Sequence, residues 1–337
     1  MTKHLLPLLA LCAVAGISGC GKQSPDGNGG PAVITLNYAN FPPSSTFPCV
    51  QMEHWKAEVE KRTDGKVKVN TYPGGTLLGA KDIFDGVIAG TADIGNFAMS
   101  YHPRRFPVSE GMDMPHFFAD AKTSSRILTE LVAAFKPAEF NDVKVLTLFT
   151  CPPSVIMSSK EVKTLADLKN QPLRSSGTGA EMMKNLGAAP VAMPQSDVPD
   201  ALQKGVVKGN VSSAEVLKDM NYAVYCPYVY KADLCVISFA VVMNKAKYEA
   251  LPDDVKQVLD GLYLEHAEWT GAYVDGHVQE SVAWAKEKHK LSITEPSEAD
   301  LAVLRATAVP VIDEYVSRIT AKGIDGKAVI AFIQGKK

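Results

Sequence analysis
A chain of 337 residues, 46% hydrophobic and 21% charged, has the composition of a globular protein and is long enough for two lobes. Its formal net charge of -2 and pI near 6.4 exclude the basic field that a nucleic-acid binder presents. Past the N-terminal segment no apolar run reaches the length of a membrane span, so a role in transport requires a separate membrane partner.

The N-terminus reads MTKHLLPLLALCAVAGISGCGK. Lys3 and His4 form a polar start, and Leu5–Gly16 is an apolar run too short for a span of ~20 residues, the pattern of a signal peptide. The ending Ile17-Ser18-Gly19-Cys20 matches a bacterial lipobox. It predicts a signal peptide over 1–19, cleavage before Cys20, lipidation of its thiol, and a periplasmic protein held to a membrane by that anchor alone. Residues 20–30 then comprise the lipidated Cys20 and a small, polar tether.

Alternation of Ile34, Leu36 and Tyr38 predicts a first strand, and the stripe Met52, Trp55, Val59 an amphipathic helix over Cys49–Arg62. A strand over Lys66–Tyr72, a helix over Gly79–Ala89 and a strand over Ala92–Ala98 follow. Val143–Phe149 and Val236–Met243 are further strands. After Leu251-Pro252 a long helical pattern runs to about His289, and two C-terminal helices lie near Glu298–Lys322 and Gly326–Gln334. Strands alternating with helices argue for an α/β fold on an open, mostly parallel sheet.

Lys163–Gly209 carries the strongest functional signal. A short helix over Leu165–Lys169 leads to a strand ending at Arg174, and the polar loop Ser175–Gly179 opens a helix carrying Met182, Met183 and Leu186. An arginine at a strand end beside a helix start suits a carboxylate, because a planar donor fork meets the free N–H groups of a first turn. Ser176 in that loop adds a hydroxyl, or serves as a loop or cap residue.

Other chemistry is absent from the pattern. Gly74–Lys81 is a near miss to a phosphate-binding loop, with Ala80 in the lysine place, and Gly177-Thr178-Gly179 lacks the third glycine of a dinucleotide fingerprint. No nucleophile, base and orienter come together, so no enzyme is expected, and no cofactor. His266 and His277 stand eleven apart, too far to share a metal, and no cysteines have metal-ligand spacing. Of the four cysteines beyond Cys20, Cys226 and Cys235 are the pair nearest in sequence for a disulfide; buried free thiols are the alternative.

Three ordered blocks, YPGGTLLGAKDIFDGVIAGTADIG (72–95), TLADLKNQPLR (164–174) and LGAAPVAMPQSDVPDALQKGVVKG (186–209), resemble the signature of the solute-binding proteins of TRAP (tripartite ATP-independent periplasmic) transporters. Asn170 stands where that family usually has Gly, and Lys208 where it usually has Asp. The resemblance implies a two-lobed periplasmic-binding-protein fold with crossing hinge strands near 149–152 and 235–238 and a long helix spanning both lobes. Lobe I would hold 31–149 plus 237–270, and lobe II 150–236 plus 271–337. It further implies that Arg174 grips the carboxylate of an organic acid in the inter-lobe cleft, and that the partners are TRAP membrane permease subunits.

On the same map Ser212 occupies a region where the family commonly places a polar pocket residue. Ser154 stands where sugar-acid members carry a second arginine. The loops after the first and third strands contribute Phe41, Phe47 and Tyr101, and Asp233 is expected in the same region, able to meet an ammonium group. The pattern of NYANFPPSSTFPC (37–49) and PGGTLLGA (73–80) resembles most closely family members that take aromatic or indole-type carboxylates. A monocarboxylate with an aromatic or hydrophobic tail, or an aromatic amino acid, is therefore the expected ligand; a small aliphatic, dicarboxylic or sugar acid, or a receptor feeding a sensor kinase, is the alternative.

Overall fold
A computed structural model describes residues 33–337, so the predicted signal peptide and the lipobox at Cys20 lie outside the described residues. In chain order the elements are β1 (Ile34–Asn40), α1 (Phe47–Arg62), β2 (Val67–Tyr72), α2 (Ile83–Ile88), β3 (Ile94–Ala98), α3 (Ala121–Phe135), β4 (Val143–Thr150), β5 (Val155–Ser158), β6 (Pro172–Arg174), α4 (Gly177–Asn185), β7 (Ala189–Val191), α5 (Val198–Gln203), β8 (Gly209–Ser212), α6 (Val216–Asp219), β9 (Tyr228–Tyr230), β10 (Ser238–Asn244), α7 (Lys245–Glu249), α8 (Asp253–His289), β11 (Ser292–Thr294), α9 (Glu298–Thr320) and α10 (Gly326–Lys336). Short 3-10 turns lie between several of them.

The strands form two sheets, of order β2-β1-β3-β10-β4 and β11-β9-β5-β8-β6-β7. Both are mixed rather than mostly parallel, which corrects the expectation from strand and helix alternation. β1 pairs parallel with β2 and β3, but β10 runs antiparallel to β3 and β4. β6 pairs parallel with β7 and β8, but β5 runs antiparallel to β8 and β9. The reversed strands are those entered from the other sheet: β4 leaves the first sheet at Thr150 to become β5, and β9 leaves the second at Tyr230 to become β10. A strand fed from outside enters in the direction opposite to strands fed by the sheet's own helical crossovers. The two crossing segments hydrogen-bond to each other, Cys151 N–H to Ile237 O at 3.0 Å and Ser154 N–H to Cys235 O at 2.8 Å.

Helix α1 starts with Pro48 in its first turn, where its missing N–H costs nothing, and buries Met52, Trp55 and Val59 on one face. Helix α3 escaped sequence reading, although Asp120 caps it, accepting from Thr123 N–H at 2.6 Å, and Ile127, Leu128, Leu131 and Val132 are its buried stripe. The 37-residue α8 has Asp253 and Asp254 in its first turn and Lys286, Lys288 and His289 in its last, both favourable to the helix dipole. At ~1.5 Å per residue it is about 55 Å long. Val255, Leu259 and Leu262 join the core around the first sheet, whereas Ala285 joins a second core with Val155, Met157 and Leu291.

The last helices, which the lobe map groups with lobe II, also return toward the first sheet's layer. Asp300 at the start of α9 accepts from Tyr230 Oη at 2.9 Å, but Tyr315 farther along donates to Pro107 O at 2.8 Å, and Phe332 of α10 meets Phe135 of α3 edge-on.

Two sequence features gain a physical reason. Asn170, in the usual glycine place, has φ +58, a left-handed conformation that Asn tolerates better than most side chains. The expected short helix after Thr164 is a 3-10 turn, Leu165–Leu168, closed by a capping box between Thr164 and Asp167.

The proposed Cys226–Cys235 disulfide does not form: Cys49, Cys151, Cys226 and Cys235 are all buried free thiols. Cys226 packs in the core around α5 and α6, while Cys235 lies in the crossing segment beyond β9 and packs in the other core, so nearness in sequence does not become nearness in space. Burial pushes both thiols up to about 12.

Candidate functional site
The C-terminal ends of parallel strands from both sheets point at one cavity. From the first sheet, β1 delivers Phe41 and Pro42 just past Asn40, and the turn after β3 delivers Tyr101; from the second, β6 ends on Arg174 and β8 on Ser212. Carboxyl ends of parallel strands are where open α/β sheets place ligands, because the loops there are free to carry side chains. The space between them is small, about 50 Å³. At ~10–15 Å³ per water-sized group it takes about three to five such groups unless the walls part.

Arg174 is fully buried. Its Nε and Nη2 both donate to Met193 O, at 2.9 and 2.8 Å, which fixes the plane of the guanidinium. Longer contacts reach Asn210 Oδ1 from Nη1 at 3.4 Å and Tyr101 Oη from Nη2 at 3.3 Å. One Nη1–H has no acceptor among the described residues, and the Asn210 amide beside it has an unpartnered Nδ2. The register that pairs Arg174 with Asn210 on adjacent parallel strands creates this neighbouring pair of donors. Tyr101 ties the two sheets together here, since its hydroxyl also accepts from Gln195 N–H at 2.9 Å.

Facing this polar corner is an aromatic wall. Phe41 stacks on Phe239 at 6.5 Å, Phe239 on Phe149 at 5.1 Å, and Phe47 meets both Phe149 and Phe239 edge-on. Phe41 also meets Tyr101 edge-on at 5.5 Å. These rings present large, rigid apolar surface at low entropic cost.

Five of the eight residues expected from sequence therefore share the cavity: Arg174, Ser212, Phe41, Phe47 and Tyr101. Three do not line it. Ser176 stands at the start of α4 without a side-chain capping bond, its hydroxyl 3.5 Å from that of Ser100 across the gap between the sheets. Ser154 is buried in the crossing segment, where its carbonyl accepts from Leu234 N–H. Asp233 lies with Lys231 and Glu295 on a separate surface, 3.9 Å from Lys231 Nζ, because the chain turns at its left-handed φ of +44 before re-entering the first sheet.

Sequence reading missed Asn210, Gln195, Glu215, Asp219 and Phe239. Asn210 and Glu215 flank Ser212 on β8 and the start of α6, so the segment had been located and only the pointing of its side chains was illegible. Glu215 accepts from Ser213 Oγ at 2.7 Å, and burial pushes its carboxyl up to about 7. Asp219 accepts from His277 Nε2 of α8 at 2.7 Å, a bond that raises the imidazole above its usual range. Among the described residues no group of three or more His, Cys, Asp or Glu side chains is placed to hold a metal, and no helix is long and apolar enough to cross a membrane.

Residues 38–318 match the model of a single family, the bacterial extracellular solute-binding proteins of family 7, also called DctP. The chain belongs to that family. It is 48% identical to a TRAP periplasmic solute-binding protein of Desulfovibrio salexigens, covering 90% of this chain and 96% of that one with a TM-score of 0.82; that protein's ligand-binding site holds the C-terminus of a symmetry mate. A TRAP solute-binding protein of Rhodoferax ferrireducens, solved with copurified benzoate, is 27% identical with 90% and 97% coverage and a TM-score of 0.86. The 2,3-diketo-L-gulonate-binding periplasmic protein of Escherichia coli is 26% identical over 60% of this chain and 63% of its own length. The two-sheet architecture of this chain is that of the TRAP receptors, and these families are solute-binding receptors rather than enzymes.

Proposed function
We propose that this receptor captures an organic acid between its two sheets, closes over it, and delivers it to TRAP permease subunits in the membrane. The observation that carries the reading is Arg174, a fully buried guanidinium on the lining of a cavity that also presents the rings of Phe41, Phe47 and Phe239. An arginine is held out of water at a cost of several kcal/mol unless an anion compensates it. Here its fixed protein partners are neutral oxygens, and donors remain on Nη1 and on Asn210 Nδ2. One carboxylate satisfies both.

The absence of any further arginine or lysine from the lining among the described residues, together with Phe41, Phe47 and Phe239, supports a monocarboxylate with an aryl or hydrophobic tail. Benzoate in the Rhodoferax relative agrees with that choice. Ser212 would add a hydroxyl at the end of β8. Residues near 149–152 and 235–238, where the chain crosses between the sheets, are the hinges of this reading.

Calorimetric titration of aryl and indole carboxylates, C4-dicarboxylates and sugar acids tests it. One charge-assisted hydrogen bond at ~1.5–3 kcal/mol predicts that Arg174→Ala weakens binding by ~10-fold or more while the protein stays folded. An Arg174→Ala variant that binds acids as tightly as the native receptor would refute the carboxylate grip. Sugar acids or dicarboxylates binding more tightly than aryl acids would refute the aromatic-tail reading.

A further inference from the structure
Two histidines far apart in the sequence meet where α1 packs on α8. His266 and His277 are too far apart on α8 to share a metal, but the neighbour of His266 in space is His54 of α1, 212 positions away, with the two Nδ1 atoms 3.4 Å apart. The tautomer of His266 is fixed. Its Nε2 lies 3.2 Å from the main-chain oxygen of Gln51, which can only accept, so Nε2 carries the proton and Nδ1 is a bare lone pair facing His54.

Packing holds both rings in place. His54 lies face to face with Trp269, 3.6 Å between ring centroids and 9° from parallel, and His266 is fully buried. The planes of the two imidazoles differ by 16°. Burial holds each imidazole below its usual range, His266 down to about 3, so at neutral pH neither lone pair is lost to a second proton. His54 is the half-buried member, and an ion reaches the pair from its side.

An imidazole whose far nitrogen donates to a backbone carbonyl is oriented as metal-bound histidines are. Two nitrogens each ~2.1 Å from one tetrahedral ion stand about 3.4 Å apart, which is the separation of this pair. The local charge favours a cation: Glu58 and Glu265 are the nearby acids and Arg62 the nearby base, donating to Glu58 Oε2 and Glu265 Oε2 at 2.9 Å each. We propose that His54 and His266 bind a divalent late-transition-metal ion such as Zn2+, which joins α1 to α8. Imidazole nitrogen suits such ions, and hard cations prefer oxygen. Two protein ligands leave the other positions to water, so the site is open and exchangeable. On binding, the His54 proton passes from Nδ1 to Nε2, both Nδ1 lone pairs meet the ion, and no net proton is released. The pair shares no residue with the Arg174 cavity, so this inference stands apart from the carboxylate reading.

The test is calorimetric titration of the tag-free receptor with zinc, beside thermal melts in zinc and in EDTA. One ion per protein is expected, with a melting midpoint that rises with zinc concentration, because an ion that binds the folded state alone stabilises it. His54→Gln keeps an N–H donor toward His266 but has no imidazole; it is expected to melt with the native protein in EDTA and to bind zinc at least tenfold more weakly. No zinc binding by the native receptor would show that the two rings share a hydrogen bond and nothing more. Zinc binding unchanged in His54→Gln would place the ion elsewhere, at His277 or His289. Either result overturns the proposal. Imidazole resonances of the native protein give an arm that needs no variant: those of His54 and His266 are expected to shift with zinc, and shifts confined to other histidines overturn it as well.

Discussion
Arg174 and Glu215 are buried ionisable groups on one cavity, and they answer to opposite demands. A guanidinium stays charged at any working pH, so its burial has to be compensated by acceptors and, in the bound receptor, by an anion. A carboxyl can escape by taking a proton, and burial moves Glu215 that way. Its folded-state pKa, about 7, lies above its usual value, so the folded protein holds the proton more tightly than the unfolded chain. Stability from this group is fully present below ~4.5 and is lost as pH rises toward 7. The charged and titratable groups around it are Asp219, His277 and Cys151. Replacing the carboxyl with an amide removes the buried charge but keeps the shape. Glu215→Gln without ligand is expected to melt with the native protein at pH 5 and above it at pH 8, read by scanning calorimetry; a variant less stable at pH 8 would show that Glu215 is ionised and fully satisfied within the protein. Arg174 was legible in sequence because a strand end, a polar loop and a helix start announce it locally. Glu215 was not, because a glutamate ahead of a short helix looks the same whether it faces water or a cavity.

At the scale of elements, the second sheet depends on how closely β8 threads between β5 and β6. A Cβ on Gly209 would lie 2.2 Å from Met157 O and 2.7 Å from Leu173 Cδ2, so the glycine that closes the GVVKG segment is required by backbone approach rather than by a turn. Overpacking of this kind costs typically ~1–3 kcal/mol. Gly209→Ala should lower the denaturation midpoint accordingly, and because the strain falls one residue from Asn210 it should also weaken acid binding. Urea unfolding and titration of one variant read both effects, and a midpoint equal to the native one would mean that β5 and β6 yield at little cost. The amphipathic helices, the buried strands and their rough boundaries could be read from periodicity, α1, α8 and α9 most directly. Helix α3 was missed although its cap and stripe are ordinary. Strands such as β5, β7 and β9, of three or four residues, exist by virtue of their neighbours in the sheet, and periodicity cannot resolve so short a run.

For the whole molecule, the two crossing segments and the side-chain bridges over the cavity set what can move. Ser45 Oγ reaches Asp219 O at 3.2 Å, and Tyr101 links Arg174 to Gln195, so first-sheet loops contact second-sheet loops directly over the site. The small cavity volume fits this contacted arrangement, and in the proposed cycle the sheets part to admit an acid. Small-angle scattering should then show the native receptor contracting when a bound acid is added, with Arg174→Ala showing no contraction at the same concentration; identical profiles with and without a ligand known to bind would argue against closure. The sequence by itself determined the α/β class, the family, the position of the arginine and the apolar character of its surroundings, since each is encoded in local order: periodicity, a motif, a strand end before a loop. Tertiary structure alone decided that both sheets are mixed, that Cys226 and Cys235 lie in different cores, that Asp233 faces away, and that Glu215, Asp219 and Gln195 stand on the cavity with Arg174. Those outcomes depend on which face a short segment turns inward once two sheets are joined by crossing strands, and that choice is settled by packing across the gap rather than along the chain.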